Sequence, residues 1–170
     1  LIPYQGQIDF AGHDIQRIKN RRYRADLGLV FQHADDQFIN VTVAEELALS
    51  KRNGRHPYFQ TSLPAALELL GLTGLDERVV YSLSGGQRKK LQLLLMLMMG
   101  QPVLLLDEPF AGLDRQSLQN VYQLIKTAQA AKPQTMLIIS HQLAAIDQLI
   151  DFHLHLSGHQ LRYEEDYHES

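Results

Sequence analysis

The sequence contains no cysteine among its 170 residues. That absence excludes a disulfide framework and any metal site built from thiolates. Long apolar runs are missing as well, because the longest unbroken one, Leu93–Met99, is far shorter than the roughly 20 residues that a membrane-spanning helix needs. We therefore expect that any work at a membrane is done from its surface, through a partner.

An excess of charge of one sign is also absent. Lys and Arg number 16 against 19 Asp and Glu, which gives a formal net charge of −3. A general nucleic-acid-binding domain is usually basic, so we expect no nucleic-acid partner. The length suits a single domain over residues 1–170 with a substantial core.

The stretch Leu83–Asp114 carries the strongest pattern in the chain. Ser84 and Gln87 have the spacing of a capping box, in which each side chain binds a free backbone amide at the start of a helix. Gly85 and Gly86 leave their N–H groups uncovered at the positive end of the helix dipole. The sequence therefore predicts a helix start that can bind a phosphate.

The same stretch predicts a strand after the helix. Gly100 suits a left-handed helix cap, and Pro102 would block continuation of the helix. The apolar run Val103–Leu106 then predicts a strand that is buried on both faces. Asp107 and Glu108 follow at the end of this strand, where open α/β sheets place their ligands.

In this order and spacing, the pieces resemble the ATP-binding domain of ABC transporters. Residues 83–87 read LSGGQ, the family's signature, residues 103–108 match its Walker B strand with the following Glu, and residues 111–114 match its D-loop. The resemblance implies an α/β fold of the P-loop NTPase-like kind, with a mostly parallel sheet flanked by helices and an antiparallel portion near the N-terminus. It also implies an inserted helical subdomain, which we place at residues 42–82.

Two further positions fit the same family. The apolar run Leu27–Phe31 predicts a strand, and Gln32 follows it 52 residues before Ser84, where it resembles the glutamine of the family's Q-loop. His141 follows a second β-branched run, Thr135–Ser140, and resembles the family's H-switch.

The loop after Gln32 narrows the resemblance to one group of the family. Residues 33–38 look like the corresponding loop of the energy-coupling-factor importers, which favour Pro where this chain has Ala34. Residues 42–48 resemble the same importers.

Local signals outline the helical subdomain and the end of the chain. Thr42 and Glu45 form a second capping box, and a further helix is predicted to begin near Pro64 and to end at Gly71 or Gly74. A short helix over 144–150 and a terminal hairpin over 151–163 are expected after the H-switch position. Three histidines in that hairpin raise the possibility of a metal site, although a solvated strand face is the favoured interpretation: His153, His155 and His159.

The resemblance implies a site for ATP and Mg²⁺ that two domains share when they pair head to tail as a homodimer or a heterodimer. Glu108 would act as the general base, and His141 would contact the γ-phosphate. Gln32 would touch both the metal and the attacking water, and Asp107 would hold the metal. Asp114 would cross the dimer seam. The signature residues would bind the nucleotide held by the partner domain: Ser84, Gly85, Gly86 and Gln87.

The same resemblance implies a membrane subunit as the second partner. The loop that follows Gln32 would contact that subunit at the cytoplasmic face of the cell membrane. The activity would be ATP hydrolysis coupled to import, of a vitamin or a metal ion if the chain works like the energy-coupling-factor group.

One element of the family is missing from the sequence. The phosphate loop G-x-x-x-x-G-K-[ST] needs two glycines five residues apart, and no two of the 11 glycines have that separation. We therefore expect the loop to lie upstream of Leu1, in a domain shortened at its N-terminus, and a natural loss of the loop is the alternative. In either case, this chain alone is expected to be inactive as an ATPase.

Two other functions remain open. A non-transport ABC ATPase of DNA repair or chromosome structure would carry a long coiled coil between Gln32 and Ser84, and the 52-residue separation has no heptad run. The other is a non-hydrolysing ABC domain that serves as a structural partner. The presence of all four candidate catalytic and metal-binding side chains argues against it.

Overall fold

The computed structural model of the chain describes residues 5–18, 25–141 and 149–164. The chain forms two compact units, Leu1–Ser140 and His141–Ser170. The short helix expected over 144–150 falls mostly outside the described residues. Within those ranges, no helix is both long enough and apolar enough to cross a membrane.

Two short strands open the first unit as an antiparallel pair, β1 (Asp9–Phe10) and β2 (His13–Asp14). A parallel sheet follows, built from β3 (Leu27–Val30), β4 (Val103–Asp107) and β5 (Thr135–Ile139), with β4 in the middle. The predicted fold class, a parallel sheet preceded by an antiparallel portion, is confirmed.

Helices flank this sheet. They are α1 (Val43–Asn53), α2 (Pro57–Leu70), α3 (Gly85–Met99) and α4 (Arg115–Ala131), with 3₁₀ turns at Ala34–Asp36 and Val80–Ser82. Helix α3 packs against β3 and also contacts α1, α2 and α4, so it lies at the centre of the helical layer. Its apolar residues account for much of the core, since Leu91 and Leu94 are fully buried. The bulky side chains of this helix therefore serve packing.

The start of α2 differs from the prediction. The helix begins at Pro57 and not near Pro64, which lies inside it. Both prolines have the fixed φ of a first helical position, and Pro57 takes that place because the chain turns there from α1. An interior proline removes one hydrogen-bond donor but does not stop this helix. The predicted end is confirmed, because Gly71 caps α2 with φ 63° and ψ 40°.

The expectation that β4 is buried on both faces was wrong. Leu104 and Leu106 are buried, whereas Val103 and Leu105 on the opposite face are partly exposed. The same face continues onto the neighbouring strands, and Leu137 of β5 is 49% exposed. An apolar run predicts burial only where another element packs, and the described residues leave this face of the sheet largely uncovered.

The second unit contains the predicted hairpin. Strands β6 (His153–Ser157) and β7 (Gln160–Glu164) pair antiparallel, and the turn between them has positive φ at Gly158 and His159. The part of the chain that the structure describes contains no group of three or more His, Cys, Asp or Glu side chains that could hold a metal ion.

The end of α3 meets the start of α2 through backbone atoms. His56 N donates a hydrogen bond to Met98 O at 3.3 Å. Gly100 caps α3 in the left-handed conformation, with φ 67°, and its carbonyl oxygen accepts a hydrogen bond from Lys132 Nζ at 2.7 Å. A Cβ atom on Gly100 would lie 2.7 Å from His56 N, so only glycine fits this position.

Replacing Gly100 should therefore destabilise the fold more than replacing Gly71, which caps α2 in the same left-handed conformation. Gly71→Ala places a Cβ in the left-handed region with only Lys90 Nζ nearby, at 3.9 Å, and should lower the free energy of unfolding by about 1 kcal/mol. Gly100→Ala adds a backbone clash and should lower it by about 3 kcal/mol. Urea unfolding of both variants measures the difference, and equal losses would contradict the close approach at Gly100.

His56 is a buried titratable group beside this contact. It is 0% exposed, and its ring meets the edge of Phe59 with centroids 5.1 Å apart. Burial lowers the pKa of His56, and the charge of Lys132 lowers it further, while backbone groups at the end of α4 partly oppose the shift. The fold therefore favours the neutral ring.

This buried ring should make stability depend on pH. Below the ordinary histidine pKa of about 6.5, the unfolded chain takes up a proton that the folded chain resists, so the free energy of unfolding falls as pH falls, by at most about 1.4 kcal/mol per pH unit. His56→Phe should flatten this dependence between about pH 7 and pH 5. The control His33→Asn, at an exposed position, should not. Urea unfolding at several pH values tests this, and an unchanged slope in His56→Phe would refute it.

Candidate functional site

The capping box predicted at the start of α3 is present. Ser84 N donates to Gln87 Oε1 at 2.9 Å, and Gln87 N donates to Ser84 Oγ at 3.2 Å. Gln87 is therefore engaged in closing the cap. The hydroxyl of Ser84 accepts one hydrogen bond there and keeps its own proton to donate elsewhere.

The capping box does not engage the backbone N–H groups of Gly85 and Gly86. Neither donates a hydrogen bond to another of the described residues. A Cβ on Gly85 would meet nothing within 4 Å, and one on Gly86 would approach Leu113 Cδ2 at 3.8 Å and Gly112 O at 3.9 Å. The start of α3 is thus open to an anion and lies beside the D-loop segment of its own chain.

The predicted acid pair stands at the carboxyl end of the middle strand. Asp107 is the last residue of β4, and Glu108 follows it in the left-handed region with φ 45°. A residue with a Cβ costs roughly 1–2 kcal/mol in that conformation. The hydrogen bond from Glu108 N to Ile139 O, at 2.9 Å, ties this backbone to the end of β5. Both residues are partly exposed.

Gln32 lies at the same edge of the sheet. The parallel register pairs Val30 of β3 with Leu106 of β4, so Gln32 and Glu108 each stand two residues beyond that pair. Gln32 is exposed and begins the loop that contains the 3₁₀ turn Ala34–Asp36. The structure therefore brings the predicted Q-loop glutamine and the acid pair to one edge.

Lys89 joins these parts. It is only 4% exposed, and its Nζ donates to Gln32 O at 2.8 Å and to Phe31 O at 3.2 Å. Burial lowers the pKa of Lys89, and the negative charges of Asp107 and Glu108 oppose that shift. The amine of Lys89 thus binds the loop after β3, and the charges of the acid pair after β4 act on its pKa.

Asp114 serves as the N-cap of α4. Its Oδ1 accepts a hydrogen bond from Ser117 N at 2.7 Å. This hydrogen bond is the main cause of the lowered pKa of Asp114, and the positive charge of Lys90 on α3 lowers it further. The D-loop carboxylate therefore stays ionised at neutral pH.

His141 is the first residue of the second unit. Its contact with a nucleotide stays a prediction, as do the functional roles of the other candidate residues.

Sequence reasoning missed the polar contacts between α3 and the loop after β3. Besides Lys89, Arg88 pairs with Asp35 and Gln92 binds the loop at two points. The sequence did contain a signal for these contacts. Lys89 and Gln92 lie three residues apart in a helix whose other residues from Leu91 on are apolar.

The residues present suit Mg²⁺ and a nucleotide. Asp107 and Glu108 offer the hard oxygen ligands that Mg²⁺ prefers, and this ion is usually held by one or two carboxylates together with phosphate oxygens and water. The open amides of Gly85 and Gly86 suit a phosphate at the positive end of a helix.

This arrangement defines an α/β protein of the P-loop NTPase-like class, with acidic residues at the carboxyl edge of a parallel sheet and an open helix start nearby. A family model described as "ABC transporter" matches residues 1–111. The chain belongs to the ABC transporter family.

Curated relatives agree with this family. The chain is 32% identical over 154 residues to the energy-coupling factor transporter ATP-binding protein EcfA of Methanoculleus marisnigri, a match that covers 89% of this chain and 56% of the relative. It is 35% identical over 148 residues to an uncharacterized ABC transporter ATP-binding protein of Haemophilus influenzae, covering 85% of this chain and 66% of the relative.

Solved structures agree in fold. The cbiO1 protein of Clostridium perfringens, described as part of the ABC transporter complex cbiONQ, superposes with a TM-score of 0.63 at 26% identity, covering 89% of this chain and 62% of that one. An ATP-binding subunit of an ABC transporter gives a TM-score of 0.72 at 20% identity, covering 89% and 63%. The chain spans about half the length of most of the curated relatives that it matches, between 22% and 66%.

Proposed function

We propose that this chain belongs to the ATP-hydrolysing subunit of an ABC importer of the energy-coupling-factor type, which takes up a vitamin or a metal ion. The observation that carries the proposal is the meeting of Gln32, Asp107 and Glu108 at one edge of the sheet, where Lys89 of α3 binds the backbone of Gln32. Names of relatives such as EcfA support the importer class.

The acid pair has two roles in this proposal. Asp107 holds Mg²⁺, directly or through water, and Gln32 contributes its side-chain oxygen. Glu108 accepts the proton of the attacking water as general base, a function worth roughly 10²–10⁴ in rate. Bound Mg²⁺ would neutralise charge on the phosphate oxygens as water adds to the γ-phosphorus and ADP leaves. His141 donates a hydrogen bond to the γ-phosphate and orients the water.

The start of α3 serves a second protomer. Ser84, Gly85 and Gly86 bind the γ-phosphate of a nucleotide held by the partner domain, and Gln87 keeps the cap closed around them. Asp114 follows Gly112 and Leu113, which lie near Gly86, and crosses the seam between the two protomers. Two domains paired head to tail, as a homodimer or a heterodimer, would then complete two sites. The phosphate loop that each site also requires is not among these 170 residues.

A membrane subunit is the other partner in this proposal. The helical subdomain at residues 42–82, together with the loop after Gln32, faces that subunit, and the protein works at the cytoplasmic face of the membrane. The loop is held at Asp35, which pairs with Arg88 at 2.8 Å, and leaves Asp36 exposed for a partner.

The second candidate function is a non-hydrolysing ABC domain with a structural role. The two functions differ in what happens when the proposed base is removed from the complete protein.

Glu108→Gln should slow ATP hydrolysis at least about 100-fold in the complete protein, because the amide cannot accept the proton of the water. ATP binding should persist, since the amide keeps the size of the side chain. The matched control Glu68→Gln, on the exposed side of α2, should turn over normally. Steady-state ATPase assays with nucleotide-binding measurements test this, and normal turnover in Glu108→Gln would remove Glu108 from the role of base.

Asp36→Ala should reduce the stimulation of ATPase activity by the membrane subunit several-fold and leave activity without that subunit unchanged. Its carboxylate is exposed in the loop and is not part of the proposed hydrolytic site. The control Asp151→Ala removes an exposed carboxylate outside both the loop and the subdomain and should leave the stimulation unchanged. The comparison is made in membranes and in detergent-free solution, and equal losses in both assays would mean that Asp36 only supports the loop.

A further inference from the structure

Helix α3 holds the loop Phe31–Gln37 through buried polar contacts. Lys89 Nζ donates to the carbonyl oxygens of both Phe31 and Gln32. Hydrogen bonds from a charged donor are stronger than those between neutral groups, so Lys89 holds the loop more firmly than a neutral donor would. It fixes the backbone of the residue whose side chain is proposed to reach the metal and the water.

Gln92 holds the same loop one helical turn further on. Its Nε2 donates to Phe31 O at 3.0 Å and to Gln37 Oε1 at 2.8 Å, so it binds both ends of the loop. Gln92 is 0% exposed, and within the described structure its Oε1 has no hydrogen-bond partner. An apolar side chain would avoid that cost, so stability alone does not explain a glutamine here.

Arg88 adds a third contact at the outer side of the loop. Its Nε pairs with Asp35 at 2.8 Å, and its Nη1 donates to Leu83 O at 2.7 Å and to Tyr81 O at 3.2 Å. The same guanidinium therefore binds the loop and the segment that leads into the cap at Ser84.

Building on the proposed function, we propose that Lys89 and Gln92 are positioning residues for ATP hydrolysis: they clamp the Gln32 loop to the helix that carries the Ser84 cap, so that loop and cap keep one relative placement. A loop displaced by a membrane partner would carry the start of α3 with it. Neither residue touches nucleotide, and each acts through the backbone around Gln32.

The first test measures the loop directly in the complete, nucleotide-free protein. Hydrogen exchange of the backbone amides of residues 31–37 should accelerate about tenfold in Lys89→Met and in Gln92→Met, because each variant removes donors to the loop but keeps an unbranched buried side chain. The control Lys126→Met, on the exposed face of α4, should leave the exchange unchanged. Unchanged exchange in both clamp variants would overturn the proposal.

The second test asks whether the clamp acts through Gln32. Lys89→Met and Gln92→Met should each lower kcat about tenfold, with the KM for ATP within about twofold. Each should add nothing further to Gln32→Ala in a double-mutant cycle, because the side chain that the clamp positions is then absent. Additive losses, or a loss confined to KM, would overturn the positioning role.

Two further measurements distinguish a failure of this proposal from a loss of fold or a failure of the proposed function. The urea midpoint of Gln92→Met should stay close to that of the wild type, since the substitution removes an unpaired buried oxygen together with two hydrogen bonds to the loop, and this excludes a general loss of fold. If Gln32→Ala hydrolyses ATP at the wild-type rate, the proposed function fails at Gln32, and the exchange measurement alone then decides whether Lys89 and Gln92 hold the loop.

Discussion

The parallel pairing of β4 with β3 on one side and β5 on the other is the constraint on which the candidate site depends. It sets the ends of the three strands at one edge, which brings the loop at Gln32, the acid pair at Asp107 and Glu108, and the turn after Ile139 together. Residues from segments far apart in sequence thereby come to one edge of the sheet. No single loop could supply this combination of amide and carboxylate groups.

Helix α3 ties that edge to the rest of the first unit. Its first turn exposes two backbone amides, its second turn buries an amine against the loop carbonyls, and its remaining turns are apolar and build the core. One helix thus combines an open end, a polar clamp and a packing surface. Anything that shifts the helix as a rigid body must move all of these features together, because its interior is too closely packed to deform gradually.

The parts of the structure that were predictable from the sequence are governed by local rules. The capping boxes at Thr42 and Ser84 and the left-handed glycine at Gly100 are examples, because each depends on residues within one helical turn. The open face of β4 was not predictable, since burial depends on elements that pack from elsewhere. The contact between Lys89 and Gln32 joins residues 57 apart, and no local pattern specifies such a pairing. The choice of Pro57 over Pro64 was ambiguous because both satisfy the same helix-start preference.

The left-handed backbone at Glu108 has a consequence for how this position can change. Glycine, and to a lesser degree asparagine, would relieve the conformational cost there, whereas glutamate bears it in full. A lineage selected only for a well-folded scaffold would drift towards those cheaper residues. In this chain the fold bears the cost of a glutamate at that position, and residues held in such strained conformations often cluster at functional sites.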